Sequence, residues 1–220
     1  MNKKDFFKNS FSVIWEIIKT ILIISVFVII IRGFIIQPFY VIGSSMEPNF
    51  YEGEYLIINE LKYHILKPQR GDVVVLKHPE PSCSAFMERS FLERTFISIT
   101  NFFSPSRKET CKNYIKRVIA LPKEEIEIKD GEVKIYNNDY PEGIELDESY
   151  IPDNTQTLGS QKIELGENEY FVLGDNREPN ASSDSREWGP LPRNYMVGKV
   201  WFRLFPISDK EIIPMPEYNI

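Results

Sequence analysis

The stretch Ile126-Glu127-Ile128-Lys129-Asp130-Gly131-Glu132-Val133-Lys134-Ile135 alternates apolar and charged residues on either side of an Asp-Gly pair. Alternation at period two puts each isoleucine and valine on one face of a strand and each charge on the other. Asp-Gly suits a two-residue turn in which both residues take positive φ, so the stretch predicts an antiparallel hairpin. Outward from it, β-branched and aromatic residues concentrate in short runs at 55–58, 73–76, 114–120, 170–173 and 197–204. Runs of that length and composition read as strands. There is no internal repeat of roughly 20–50 residues and no glycine loop of the nucleotide-binding kind. The expected fold is mostly β, a domain of coiled antiparallel sheets.

Composition fits one such domain. The chain has 220 residues, 42% hydrophobic and 26% charged, enough apolar material for a proper core. A formal net charge of −6 with no long basic run argues against a nucleic-acid partner. Fifteen prolines and eleven glycines, spread widely, suit a loop-rich β protein.

Ahead of the strands lies a different kind of segment. From Val13 to Ile31 the only polar residues are Glu16, Lys19, Thr20 and Ser25. About 19 helical residues at ~1.5 Å each approach the ~30 Å of a bilayer core. A cleaved signal would need a small-residue site after this run, and Arg32-Gly33-Phe34-Ile35-Ile36-Gln37 offers none. Residues 13–32 are therefore expected to be one transmembrane anchor; a buried core helix is the alternative. Lys3, Lys4 and Lys8 precede the span and Arg32 stands nearly alone after it, so residues 1–12 should form a cytoplasmic tail and 33–220 an extracytoplasmic domain. Trp201, Phe202, Leu204 and Phe205 are expected to bring part of that domain against the lipid surface.

Just beyond the anchor stands Ser45, and a lysine, Lys116, sits in the otherwise apolar run 114–121, apart from Arg117. A serine needs a base within hydrogen-bond reach to act as nucleophile. The two histidines, His64 and His78, lie in no stretch that looks built for that task. A buried lysine can do it, because desolvation disfavours the ammonium. The residues point to a serine–lysine dyad beside a membrane.

Between Pro81 and Lys112 the pattern breaks into an insert, 81–112, rich in aromatic and aliphatic residues including Phe86, Met87, Phe91, Phe96 and Ile97. It reads as a short helix covering the β core or as a segment dipping into the membrane surface. Cys83 and Cys111, the chain's two cysteines, stand at its ends on the expected outer face, where oxidation is permitted. A disulfide between them is expected; two separate buried thiols are the alternative.

Four groups of residues, taken in order behind the anchor, resemble the motifs of bacterial type I signal peptidases. They are the run from Pro38 to Pro48 containing Gly43-Ser44-Ser45-Met46-Glu47, then Gly71-Asp72-Val73-Val74-Val75, then Tyr114-Ile115-Lys116-Arg117-Val118. The last is Gly174-Asp175-Asn176-Arg177 followed by Ser182-Ser183-Asp184-Ser185-Arg186 and Trp188-Gly189. The resemblance implies an endopeptidase acting on the signal peptides of exported preproteins, with small residues at −1 and −3 of the cut. It implies Ser45 as nucleophile, Lys116 as general base and Ser182 as the group orienting the lysine amine. The backbone N–H of Ser45 would hold the oxyanion, helped at the position occupied here by Gly43. Arg117 would pair with Asp175, and Asp184 with Arg186. Substrate would add to the edge strand at 39–42, with Phe39, Val41 and Ile115 lining the pockets, although each is equally well explained as core. Two departures stand out: Asn49 replaces the more usual threonine, and Glu178-Pro179-Asn180-Ala181 lengthens the last motif.

Other classes fare worse. A catalytically silent β-domain binding exported proteins is the runner-up, favoured only had Ser45 or Lys116 been replaced. A calcium loop of Asp175, Asn176, Asp184 and Glu187 lacks the alternating spacing of an EF-hand and carries interleaved arginines. No metal or cofactor is expected.

Overall fold

The computed structural model describes residues 13–26, 36–60, 63, 66–90, 93, 97, 111–153 and 155–220. Among these, the strands form two antiparallel sheets. The larger runs β1 (Ile36–Tyr40), β2 (Tyr55–Asn59), β11 (Met196–Phe205), β3 (Val73–Lys77), β4 (Asn113–Ala120), β9 (Glu169–Leu173), β10 (Leu191–Pro192), with β12 (Glu211–Ile212) also paired to β11. The smaller runs β7 (Ile144–Glu145), β6 (Glu132–Tyr136), β5 (Glu125–Lys129), β8 (Gln161–Glu164).

The Asp-Gly hairpin is the β5–β6 pair. Asp130 and Gly131 take φ of 56° and 91°, and Lys129 faces Glu132 across the turn. Ile126, Ile128, Val133 and Ile135 are buried while the charges between them reach water. In β3 the apolar run Val73–Leu76 does not alternate because both faces are covered. Val73 and Val75 join Met46, Phe50, Leu56 and Ile58 on one side. Val74 and Leu76 join Val118, Val172 and the helix Pro81–Met87 on the other. A third cluster sets Ile119, Phe171 and Leu173 of the large sheet against the hairpin, so the small sheet packs on the end of β4 and β9.

The helix Pro81–Met87 covers the core with Cys83, Phe86 and Met87, and Ile97 packs on the same cluster. Cys83 and Cys111 are joined by a disulfide with Cα atoms 4.8 Å apart. Phe91, Phe96 and residues 98–110 of the insert lie outside the described residues. After β12 the chain runs back across both sheets. Ile213 packs on the large-sheet core, Tyr218 and Ile220 on the cluster shared with the hairpin, and Asn219 Nδ2 donates to Glu145 O at 2.8 Å. Tyr218 and Pro216 press on Gly71, where an added Cβ would lie 2.8 Å from the tyrosine ring.

Residues 13–26 are helical with exposed apolar side chains. Among the described residues no helix is long and apolar enough to cross a membrane; these 14 residues make a helix of ~21 Å at the standard rise. The expected tail at 1–12 and the end of the expected anchor, with the linker to β1 (27–35), lie outside the described residues.

Candidate active site

Strand β4 carries Lys116 opposite Val74 of β3, in the middle of the large sheet. Strand β9 pairs with β4 from Arg117 onward, opposite Leu173, and then leaves it. Where β9 turns away, at Gly174–Asn176, the turn bearing Ser45 comes in. Asn176 N donates to Ser45 O at 3.1 Å, and Asn176 Nδ2 to Ser44 O at 3.0 Å. A Cβ on Gly174 would overlap both Ser45 O and Ser182 Oγ, so this close approach requires glycine.

The outcome is a contact across 71 positions of sequence: Lys116 Nζ donates to Ser45 Oγ at 2.7 Å and to Ile115 O at 2.8 Å. Lys116 is 2% exposed, whereas Ser45 remains half-buried and reachable. Burial pushes the lysine down to about 8; Asp184 and Asp175 oppose that shift and Arg186 adds to it. A lysine in that range is substantially neutral at slightly alkaline pH, and its amine then has a lone pair to offer.

The charges around the amine are paired. Arg117 Nε donates to Asp175 Oδ1 at 2.8 Å and Arg117 Nη2 to Asp175 Oδ2, a two-pronged buried bridge. Asp184 caps the short helix Ser185–Trp188, accepts from Gly174 N at 3.1 Å, and takes Arg186 Nε and Nη2 at 2.9 and 2.8 Å. These contacts keep its carboxyl below the ordinary range against the pull of desolvation. Sequence reading did not assign Arg177, which donates to Gly174 O at 2.8 Å and pairs with Glu148. It did not assign Asn176 either, although both stand in the run Gly174-Asp175-Asn176-Arg177.

A family model described as "Signal peptidase, peptidase S26" matches residues 14–205. The chain belongs to the signal peptidase family, peptidase S26. It is 30% identical to a probable signal peptidase I-1 of Synechocystis sp., over 88% of this chain and 86% of that protein. It is 33% identical to a signal peptidase I of Leptolyngbya laminosa, over 94% and 88%. A crystal structure of a signal peptidase I from Enterococcus faecalis V583 aligns at 24% identity and TM-score 0.39, covering 62% of this chain and 98% of that one.

In this signal peptidase family member the remaining sequence-derived residues fall as follows. Ser182 Oγ is buried beside Gly174 and close enough to Asp184 to help hold its carboxyl down, yet it has good hydrogen-bond geometry with no group. The amine of Lys116 bonds to Ser45 and Ile115 instead, so the expected Ser182–Lys116 bond is not made here. Gly43, at φ 84°, is exposed with open space around its Cα. Phe39, Val41 and Ile115 meet in the cluster with Met46 and Val73, directly under the serine turn, and Val41 is a buried core residue. Strand β1 is the outer strand of the described large sheet. His78 lies against Tyr114, with ring centres 4.6 Å apart, and has no contact with Ser45; His64 is outside the described residues.

Proposed function

We propose that the chain is a membrane-anchored serine endopeptidase that removes N-terminal signal peptides from exported preproteins, cutting after a small-x-small motif. The observation that carries this reading is the 2.7 Å contact between Lys116 Nζ and Ser45 Oγ, made by a lysine whose burial brings it to about 8. With the amine neutral, the hydrogen bond runs the other way and Ser45 O–H donates to Nζ. As Oγ attacks the scissile carbonyl, its proton passes to Lys116, and the tetrahedral oxyanion forms. The Ser45 N–H, beside Gly43, stabilises it. Lys116 then returns the proton to the leaving amine, giving an acyl ester on Ser45. Water, deprotonated by the same amine, attacks the ester and restores both residues. Ser182 orients the amine during these transfers; its buried hydroxyl beside Gly174 has no well-aligned hydrogen-bond partner, which supports that role.

The preprotein adds as a strand along β1 and the residues after it, its side chains meeting Phe39, Val41 and Ile115. Residues 13–32 span the membrane with the N-terminus in the cytoplasm. Trp201, Leu204 and Phe205 are exposed and Phe202 half-buried, and Tyr40, Tyr55 and Phe205 stack edge-on along the same end of the sheet, which favours contact with lipid.

The test is to incubate the detergent-solubilised protein with a preprotein whose signal ends in Ala-x-Ala and to map the cut by mass. A single cut after the second alanine, lost in Ser45→Ala and Lys116→Met, is the expected result. Cleavage that survives either substitution, or no cleavage by the unaltered protein, overturns the reading.

A further inference from the structure

The turn that presents Ser45 is stitched to the strand that presents Lys116 at a second point. Asn49 closes that turn: its N–H donates to Met46 O at 3.0 Å. Its side-chain amide uses both protons. Nδ2 donates to Asp175 Oδ2 at 2.9 Å and to Tyr150 O at 2.8 Å. The Asn49 carbonyl accepts from Arg203 Nη2 on β11. Asp175 is the carboxylate that takes Arg117 in two prongs, and Arg117 is the residue after Lys116. Asn176, the residue after Asp175, holds Ser44 and Ser45 at the other end of the turn. The serine turn is thus pinned at both ends to the pair 175–176, and among the described residues only Asn49 joins it by a side chain to the buried carboxylate that pairs with the residue after Lys116.

We infer that Asn49 is a positioning residue that sets the Ser45–Lys116 separation, acting through Asp175 and Arg117. The inference rests on the proposed peptidase activity. Its chemistry explains the departure from threonine. A threonine hydroxyl offers one proton on a shorter side chain, and cannot serve Asp175 and Tyr150 together; a carboxamide offers two in one plane. The Tyr150 carbonyl brings a third segment into the same link, and the Tyr150 ring lies over the Arg117 guanidinium at 4.1 Å. Removing the amide leaves Asn176 and the backbone bond to Arg203 in place but cuts the turn's side-chain link to Asp175, so Ser45 can tilt relative to the amine. Small misplacements of a nucleophile and its base are costly for rate and nearly silent for binding.

Three variants test this by cleavage kinetics and thermal melting, with assays well below the lowest melting temperature. Asn49→Ala should lower kcat on the order of 10- to 100-fold with KM within about twofold. Asn49→Thr, keeping one donor, should recover part of that loss. Asn49→Asp sets a carboxylate against Asp175 and so adds negative charge near Lys116. The amine already faces Asp175, Asp184 and Arg186, with Tyr114 on its own strand and His78 across from it. The alkaline rise of kcat/KM should therefore move to higher pH in Asn49→Asp by charge alone, while the loss of kcat at constant KM in Asn49→Ala is the readout that a purely structural role would not produce. Unchanged kcat and an unchanged pH profile in folded Asn49→Ala overturn the inference. Should Asn49→Ala not fold, Asn49→Thr decides: a drop in kcat at constant KM supports it, and full activity overturns it. An unaltered protein that fails to cleave would sink the peptidase reading instead, so the two failures are distinguishable.

Discussion

Strands β3 and β5 are each five residues long and each pair with antiparallel neighbours on both sides, yet β3 is buried on both faces and β5 on one. Lysines beside the two strands show what that difference does. Lys116, opposite Val74 of β3, has lost nearly all contact with water, and burial pulls it down to about 8. Lys162, opposite Glu127 of β5, stands in water and is held above the ordinary lysine range by its bond to Glu125, which outweighs the opposing desolvation. The small sheet satisfies its charges with each other and solvent. The large sheet buries Lys116 with only Ser45 and the Ile115 carbonyl bonded to its amine, so its charged form is disfavoured, whereas Lys199, buried in the same sheet, is paired with Asp72. A sheet covered on both faces is the place where an ammonium can be made to give up its proton.

The largest test of that contrast is to delete the two kinds of lysine in turn. Lys116→Met should reduce preprotein cleavage by at least about 10³-fold, while Lys134→Met on the small sheet should leave it within about twofold. In the unaltered protein, kcat/KM should climb through about pH 8, because only the neutral amine accepts the serine proton. Stability carries the same signature. Between about pH 8 and 10.5 the unfolded chain holds a proton on Lys116 that the folded protein lacks, so stability rises with pH over that window. Urea melts of Lys116→Met should show that rise removed; a rise that persists assigns it to another group.

Arg117→Ala is next in size. It leaves Asp175 buried without its partner, and the loss of one member of a buried pair costs about 3–5 kcal/mol. Lys162→Ala, which breaks an exposed pair on the small sheet, should not shift the melting curve measurably. Equal shifts in the two would mean that burial is not what separates the sheets. Cutting the Cys83–Cys111 bridge, by reduction or by Cys83→Ala with Cys111→Ala, opens a loop spanning 28 positions next to β4. The expected destabilisation is about 3–4 kcal/mol on the chain-entropy model, read as a lower denaturant midpoint. A smaller loss than that of the bridge should come from Gly131→Ala in the hairpin. Its φ is 91° and a Cβ would press on Gln156, so a cost of about 1–2 kcal/mol is expected with cleavage unchanged, because the small sheet holds none of the site.

How much of this was legible depended on whether the deciding contact was local. The Asp130–Gly131 turn and its alternating flanks involve neighbours in sequence, and β5 and β6 fall where the pattern put them. The runs at 55–58, 73–76, 114–120, 170–173 and 197–204 all became strands, extended by a residue or two. β8 was not seen, because its sequence, Gln161–Glu164, carries three polar residues of four. β7, β10 and β12 are two residues long, below what any pattern can signal. Ser45 and Lys116 could be singled out because their residue types and surroundings suit the proposed chemistry, and the fold brings them within 2.7 Å. Asn176 and Asn49 were not assigned roles, since their importance lies in reaching Ser45 O and Asp175 across the fold. Ser182 was read as the group orienting the lysine; its hydroxyl lies buried beside Gly174 without a well-aligned hydrogen-bond partner, a placement that a single motif in sequence cannot specify.

Residues 213–220 give the fold an order in time. They lie on Gly71, Tyr150 and the hairpin cluster, and a ribosome makes them after everything they touch. A nascent chain that has already delivered Ser45 and Lys116 still lacks the segment that presses on Gly71, whose carbonyl takes Arg117 Nη1 at 3.0 Å. The strand that carries Lys116 and Arg117 therefore lacks this covering until synthesis has passed Tyr218. A chain cut short in this segment would retain every family motif and lose the layer that covers them from behind.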